Sequence, residues 1–246
     1  MAMKKMIDTK LTDIINSNFL AVELFEKYEL NYCLKGNSTL GSACSEFSLK
    51  PEKVINEFSN LSSGITGHFR MHEWDIDFLC DYIVKSHHGF IRKSFPSLIK
   101  LSRNLENKGS VIEGITGKLE LMESDFSEHM NKEEKFLFPH IKKIRKHETG
   151  NSEYEIPPFG NISDPVKMMV REHEIAIENF GEIKSECSGF NIKGIKDPLK
   201  KEFYELFKEF EIDLHLHFHF ENNLLFPKAV KAEKKLLKKY YQTNHL

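Results

Sequence analysis

The chain has 246 residues, enough for one large domain or two smaller ones, and 40% of them are apolar, so a packed core is within reach. Its 35 Lys and Arg nearly cancel its 37 Asp and Glu, for a formal charge of -2, which argues against a basic nucleic-acid face or a strongly acidic tail. No stretch approaches the roughly 18 apolar residues of a membrane span, and the opening MAMKKMIDTKLTDII has lysines with no apolar run behind them, so neither a membrane segment nor a signal peptide is expected.

Residues 1 to about 60 read as several short helices. LTDIINSNFLAVELFEKY places Leu11, Ile14, Ile15, Leu20, Val22 and Phe25 at roughly helical spacing. Gly36, Asn37 and Gly41 interrupt the pattern, and Pro51 suits the first turn of another helix, PEKVINEFSNL. SSGITGHF has two glycines and little periodicity, which predicts a linker and a boundary between a small domain, residues 1–66, and a larger one, residues 67–246.

Four long amphipathic segments come next. The first spans about Asp75 to Asn107 and the second about Glu113 to His147. GNSEYEIPPFGNISDP reads as a loop; the third helix then starts near Ser163 or Asp164, as an N-cap before Pro165, and ends near SGFNIKG. The fourth starts at Asp197-Pro198 and runs to about Lys235. Twenty phenylalanines with few glycines and prolines suit long helices around an aromatic core. The expected fold is all-α, a four-helix bundle behind a small helical N-terminal domain.

The second and fourth helices share a phrase. HMNKEEKFLFP opens at His129 and HFHFENNLLFP at His217, each reading His, three residues, Glu, three residues, Leu-Phe-Pro. Residues four apart on a helix lie about 40° off one face, so His129 projects with Glu133 and His217 with Glu221. A proline at a matched place in each helix predicts a matched kink. His88 lies 41 residues before His129, and His173 lies 44 before His217. Two halves, each a helix with His followed by a helix with His-x3-Glu, would bring His88, His129, Glu133, His173, His217 and Glu221 together in the bundle.

Six ligands exceed the four of a structural zinc site. They suit two metals bridged by the carboxylates. Imidazole with carboxylate fits iron, and manganese less well, whereas calcium would want oxygen alone. His87 competes with His88, and periodicity does not choose between them. His215 and His219 lie two residues from His217, about 200° around the helix, and should face elsewhere. Those two, with His68, His72, His140, His147 and His245, read as structural or solvated. Cys33, Cys44, Cys80 and Cys187 form neither a CxxC pair nor a dense framework, and a reducing, cytoplasmic setting fits them.

The LFP-tailed His-x3-Glu pairs, with REHE in the third helix, resemble hemerythrin-like domains over about residues 75 to 236. YELNYCLKGNSTLGSAC is similar to the small N-terminal domain of the di-iron iron–sulfur cluster repair proteins, the RIC or ScdA group, so the resemblance covers nearly the whole chain. It implies a non-haem di-iron centre, oxo- or hydroxo-bridged, held by His88, His129, Glu133, His173, His217 and Glu221. In that family the first ligand stands seven residues after an acidic position and four before an Arg. Asp81 and Arg92 both select His88.

Oxygen-carrying hemerythrins use a fifth histidine one turn after the third-helix ligand. Ile177 stands at that place. Their last carboxylate is an Asp spaced one residue further on, where this chain has Glu221. The resemblance therefore implies repair of iron–sulfur clusters damaged by nitric oxide or oxidants. Either iron donation or a nitric oxide reductase-like reaction would serve, with damaged iron–sulfur proteins as recipients and nitric oxide or dioxygen as small ligands. A homodimer through the N-terminal domain is also implied. The alternative is a sensor or carrier of dioxygen or nitric oxide without repair activity. One departure is plain: the family's N-terminal motif commonly has adjacent cysteines, and here Cys33 is followed by Leu34. Cys33 beside Lys35 reads either as a small buried hydrophobe or as a thiol of depressed pKa.

Overall fold

The computed structural model describes residues 3–62, 70–109, 113–150, 154, 156–157 and 160–244. Among these the regular structure is helical, apart from one isolated antiparallel bridge between Lys10 and Thr39. The expected linker, residues 63–69 in particular, lies outside the described residues, as do His68 and His245. No helix among the described residues is long and apolar enough to cross a membrane. The chain divides into two compact units, Met1–Asp75 with Phe218–Pro227, and Ile76–His217 with Lys228–Leu246.

In the first unit short helices span Met3–Ile7, Leu11–Ser17, Ala21–Lys27, Leu40–Glu46 and Pro51–Ser62. The single helix suggested by the spacing from Leu11 to Phe25 is broken at Asn18, whose backbone is extended and whose Oδ1 accepts from Leu20 N at 3.0 Å. An asparagine side chain competes with the helical ladder in this way, and the apolar spacing survives because both short helices still face one core. That core is Leu11, Ile14, Ile15, Val22, Leu24, Phe25 and Leu40. Thr39 caps the helix after it by accepting from Ser42 N. Glu57 accepts 2.6 Å bonds from both Lys27 and Tyr28, tying Pro51–Ser62 to Ala21–Lys27.

Phe218–Pro227 joins this unit through hydrogen bonds from side-chain amides. Asn223 Nδ2 donates to the carbonyls of Tyr32 at 3.1 Å and Cys33 at 3.0 Å, and Asn222 Nδ2 donates to Cys33 O at 3.3 Å. Trp74 stacks on Phe220 with ring centroids 5.9 Å apart.

Four long rods follow the short helices. The first is Ile76–Ile83, a widened π-helical turn Val84–His88, and Gly89–Asn107. The second is Ile115–Lys132, a π turn Glu133–Leu137, and Phe138–Glu148. The third, Ser163–Glu186, is a plain α-helix. The fourth, Pro198–His219, continues through a π turn, Phe220–Leu225, into Phe226–Asn244. The expected proline kinks take the form of these π turns. Pro139 and Pro227 each fall in the first turn of the helix that resumes, where a missing N–H leaves little unsatisfied. Asp197 caps the fourth rod, its Oδ1 accepting from Leu199 N at 2.9 Å. The third rod differs from expectation at its start: Asn161, not Ser163 or Asp164, supplies the capping oxygen, to Ser163 N at 2.9 Å.

Phenylalanines join the rods in one layer. Phe95, from the first rod, lies 4.7 Å from Phe210 and 5.5 Å from Phe126; Phe180 lies 5.2 Å from Phe210 and 5.0 Å from Phe207 (centroid distances). Phe95 and Phe180 follow His88 and His173 by seven residues, and Phe210 precedes His217 by seven. Seven residues are nearly two full turns, so histidine and phenylalanine share the inner face of each of those rods. Buried Glu233 anchors the end of the loop before the third rod, accepting from Tyr154 OH and Ile162 N at 2.9 Å each and pairing with His140 Nε2 at 3.2 Å.

A Cβ at Gly36 would collide with Asn223 Oδ1 and Thr12 Oγ1. Asn223 is held by its bonds to two carbonyls, so it does not swing aside without losing them. Gly36→Ala should therefore lower the unfolding free energy by about 1–3 kcal/mol, the usual range for overpacking, in urea titrations. A loss below about 0.5 kcal/mol would show the contact to be soft.

Candidate metal centre

The six residues singled out from the sequence come together. Ligand-type atoms of His88, Glu133, His217 and Glu221 lie within 4.8 Å of one another, and so do those of His129, Glu133, His173 and Glu221. All six residues are buried. Glu133 is common to both groups and lies between their histidines: Oε2 is 3.2 Å from His88 Nε2 and Oε1 is 3.4 Å from His129 Nε2. Across the bundle His88 Nε2 faces His217 Nε2 at 3.3 Å, and His129 Nε2 faces His173 Nε2 at 3.2 Å. Glu221 follows His217 by one turn on the same unbroken rod. Each of the three π turns holds one of the six, namely His88, Glu133 and Glu221.

The outer nitrogens of two of these histidines meet carboxylates. His88 Nδ1 is 2.7 Å from Glu134 Oε1, which also accepts from Arg92 at 2.6 Å. His129 Nδ1 is 2.7 Å from Glu172 Oε2, and Lys132 donates to Glu172 Oε1 at 2.8 Å. Burial works to raise the Glu134 carboxyl, but its bonds to His88 and Arg92 outweigh burial and hold it below the usual range. The bond from His129 leads in pulling Glu172 down to about 2. Burial pushes His217 well below an ordinary imidazole, with His88 adding to the effect. It therefore stays neutral, the state a metal ligand requires. Phe138, from the LFP phrase, stacks on His88 at 6.0 Å and lines an open cleft with Glu134, Lys142, Lys143 and Lys146.

Glu134 and Glu172 were not singled out from the sequence. Their signal was an acid directly after Glu133 and directly before His173, where the other half of the repeat has Asn222 and His87. Among the remaining histidines, His87 is buried and pairs with Asp213 Oδ1 at 2.9 Å through Nδ1, its ring parallel to His217. His219 belongs to the first unit, where it lies 5.7 Å from the Tyr32 ring and 3.2 Å from Asn223. Cys33 is buried, and burial pushes its thiol up to about 12, the opposite of a depressed thiolate. Lys35 does not counter this because it pairs with Glu46 at 2.6 Å.

The donor set fits a cation. Glu133 is wholly buried, and neither of its oxygens accepts a hydrogen bond. Burying an ionised carboxylate without compensation costs several kcal/mol, and a metal removes that cost. Four buried imidazoles with two carboxylates make a nitrogen–oxygen set suited to iron.

A helical bundle whose rods turn four histidines and two glutamates inward defines a metal-binding class of protein, and comparison with known sequences gives the family. A model of the hemerythrin HHE cation-binding domain matches residues 81–229. The chain belongs to the hemerythrin HHE cation-binding family, and its metal centre is of the iron-binding type. A second model, ScdA_N, described as a domain of unknown function, matches residues 7–62. The chain is 29% identical over 231 residues to the iron-sulfur cluster repair protein YtfE of Escherichia coli O157:H7, covering 92% of this chain and 98% of that one. It is 27% identical over 217 residues to the protein of the same name from Dickeya chrysanthemi, covering 87% and 92%. It is also 27% identical over 235 residues to a probable iron-sulfur cluster repair protein of Haemophilus influenzae, covering 91% and 97%. The sequence-level resemblance to the repair group thus stands.

His219 gives the first unit an acid sensitivity. Burial lowers its pKa from 6.5 to about 4. The unfolded chain takes up a proton as pH falls through 6.5, and the folded chain does so only near 4, so stability declines across that window. A fall from 6.5 to about 4 corresponds to about 3 kcal/mol. Urea titrations of metal-free protein from pH 7 to pH 4 should show this decline, and His219→Gln should remove up to that much of it. An unchanged slope in the variant would mean that His219 protonates without opening the fold.

Proposed function

We propose that the chain binds two iron ions, with His88 and His217 on one, His129 and His173 on the other, and Glu133 and Glu221 shared. It would serve to repair iron–sulfur clusters damaged by nitrosative or oxidative stress. The observation that carries the metal reading is the Glu133 carboxylate, buried without a hydrogen bond and turning one oxygen toward each group of histidines. The repair reading is supported by three relatives with that word in their names and by the N-terminal ScdA_N match. In this reading the working compartment is the cytoplasm, and the recipients are iron–sulfur proteins.

When bound, the irons would supply one-electron redox chemistry and open positions for a small ligand or for release. The protein's part is to hold the donors. Burial keeps His217 neutral, and Glu134 and Glu172 hold the rings of His88 and His129 with Nε2 inward. Phenylalanines 95, 180 and 210 close the bundle about two turns away, with Phe126 packed on Phe95. The small N-terminal domain, residues 1–66, would serve dimerisation. The pair at the centre would act by donating iron or by reducing nitric oxide.

Metal analysis of protein purified without added metal, with its absorption spectrum, tests the first step. About two irons per chain are expected, with near-ultraviolet bands that bleach on reduction. Glu133→Ala and Glu221→Ala should each lose iron and lose the ability to restore a nitric-oxide-damaged iron–sulfur enzyme. No iron even after anaerobic reconstitution would sink the metal reading. Iron binding without restoration would sink the repair reading and leave a binder of small gases.

A further inference from the structure

The two halves of the repeat agree in the six inner residues and differ just outside them. Glu134 directly follows Glu133, and its counterpart after Glu221 is Asn222. Glu172 directly precedes His173, and its counterpart before His88 is His87. The acidic pair is in contact with the centre, since each carboxylate lies 2.7 Å from the outer nitrogen of one histidine. Their counterparts bond to other groups: Asn222 donates to Cys33 O, and His87 Nδ1 pairs with Asp213 while its ring stacks on His217.

We propose that Glu134 and Glu172 are positioning residues for the metal centre, one for each group of ligands. This rests on the metal reading above. Both contacts cross between rods. Glu134 of the second rod holds His88 of the first, and Glu172 of the third holds His129 of the second. His88 belongs to the group with His217, and His129 to the group with His173. Each metal position therefore receives one of these two carboxylate-backed histidines. A sequence that is lopsided between its halves delivers equal charge to the two positions.

An ionised carboxylate only accepts, so the hydrogen on each of these rings is at Nδ1 and the lone pair is at Nε2, facing inward. The carboxylate's charge makes the imidazole a stronger donor and favours the more highly charged metal. Arg92 and Lys132, at 2.6 and 2.8 Å, fix the carboxylates from outside. Glutamine at either position would keep an oxygen for the Nδ1 hydrogen and remove the charge. Alanine would remove both.

The test uses full-length protein loaded anaerobically with ferrous iron. Glu134→Gln, Glu172→Gln and the double variant are compared with wild type and with Glu120→Gln, which alters only an exposed ion pair with Arg103. Iron retention is read against a ferrous chelator, and the midpoint potential by spectroscopic redox titration. Each single glutamine variant should fill to the wild-type iron content. Each should then surrender iron at roughly 10- to 100-fold lower chelator excess, and its midpoint potential should rise. The double variant should exceed either single one, and the Glu120→Gln control should match wild type. Wild-type retention and potential in both glutamine variants would overturn the proposal while leaving the metal reading intact. A wild-type protein that takes up no iron would overturn both.

Discussion

A carboxylate that is wholly buried and accepts no hydrogen bond is the constraint on which this fold turns. Glu133 sits among imidazoles, and imidazoles balance its charge only by becoming protonated. Burial works against that, and His217 is held neutral. Glu133 thus faces His88 and His129 at 3.2 and 3.4 Å without accepting a hydrogen bond from either, in an interior where a poorly satisfied carboxylate costs several kcal/mol. A bound cation resolves the conflict, and the two groups of donors around Glu133 and Glu221 offer it nitrogen and oxygen in equal measure. The unfavourable apo arrangement and the affinity for metal are two aspects of one free energy.

Meeting that constraint requires inner faces that stay in register over several turns. The phenylalanine layer secures this for the first, third and fourth rods, because a residue seven away from each histidine returns to the same face. Apolar closure at one level then fixes the angle at which the imidazoles enter the next. The π turns act at the histidine level itself. An extra residue within a turn widens the ladder locally and rotates the helix beyond it, and such turns occur where the chemistry is, at His88, Glu133 and Glu221. The repeated Leu-Phe-Pro marks two of these turns because proline resumes the helix without an N–H to satisfy.

The bundle and all six inner residues were legible because His-x3-Glu followed by Leu-Phe-Pro, twice, is a geometric statement about helix faces. Spacing alone left His87 open against His88, and the structure gives the reason. Val84–His88 is a π turn, so a count of 100° per residue from either side arrives at the wrong angle. Resemblance to a family resolved the choice that periodicity did not. Glu134 and Glu172 stayed hidden for a different reason. Their contacts run between rods, to His88 and His129, and no spacing within one helix reports a partner on another. The break at Asn18 was missed because apolar spacing reports which side is buried and says nothing of the local turn that Asn18 makes.

The N-terminal cysteine shows where motif and environment part. A glycine-containing stretch with a nearby lysine permits a reactive thiol, but Lys35 is drawn to Glu46, and burial raises Cys33 to about 12. The segment contributes its backbone instead. Tyr32 and Cys33 offer carbonyls to Asn222 and Asn223, the two residues directly after Glu221. Gly36 permits the approach, because any side chain there would strike Asn223. A π turn is a weak ladder by itself. Three amide-to-carbonyl bonds placed just past Glu221 restrain the turn that carries it, which gives the Tyr32–Gly36 stretch a structural purpose that needs no second cysteine.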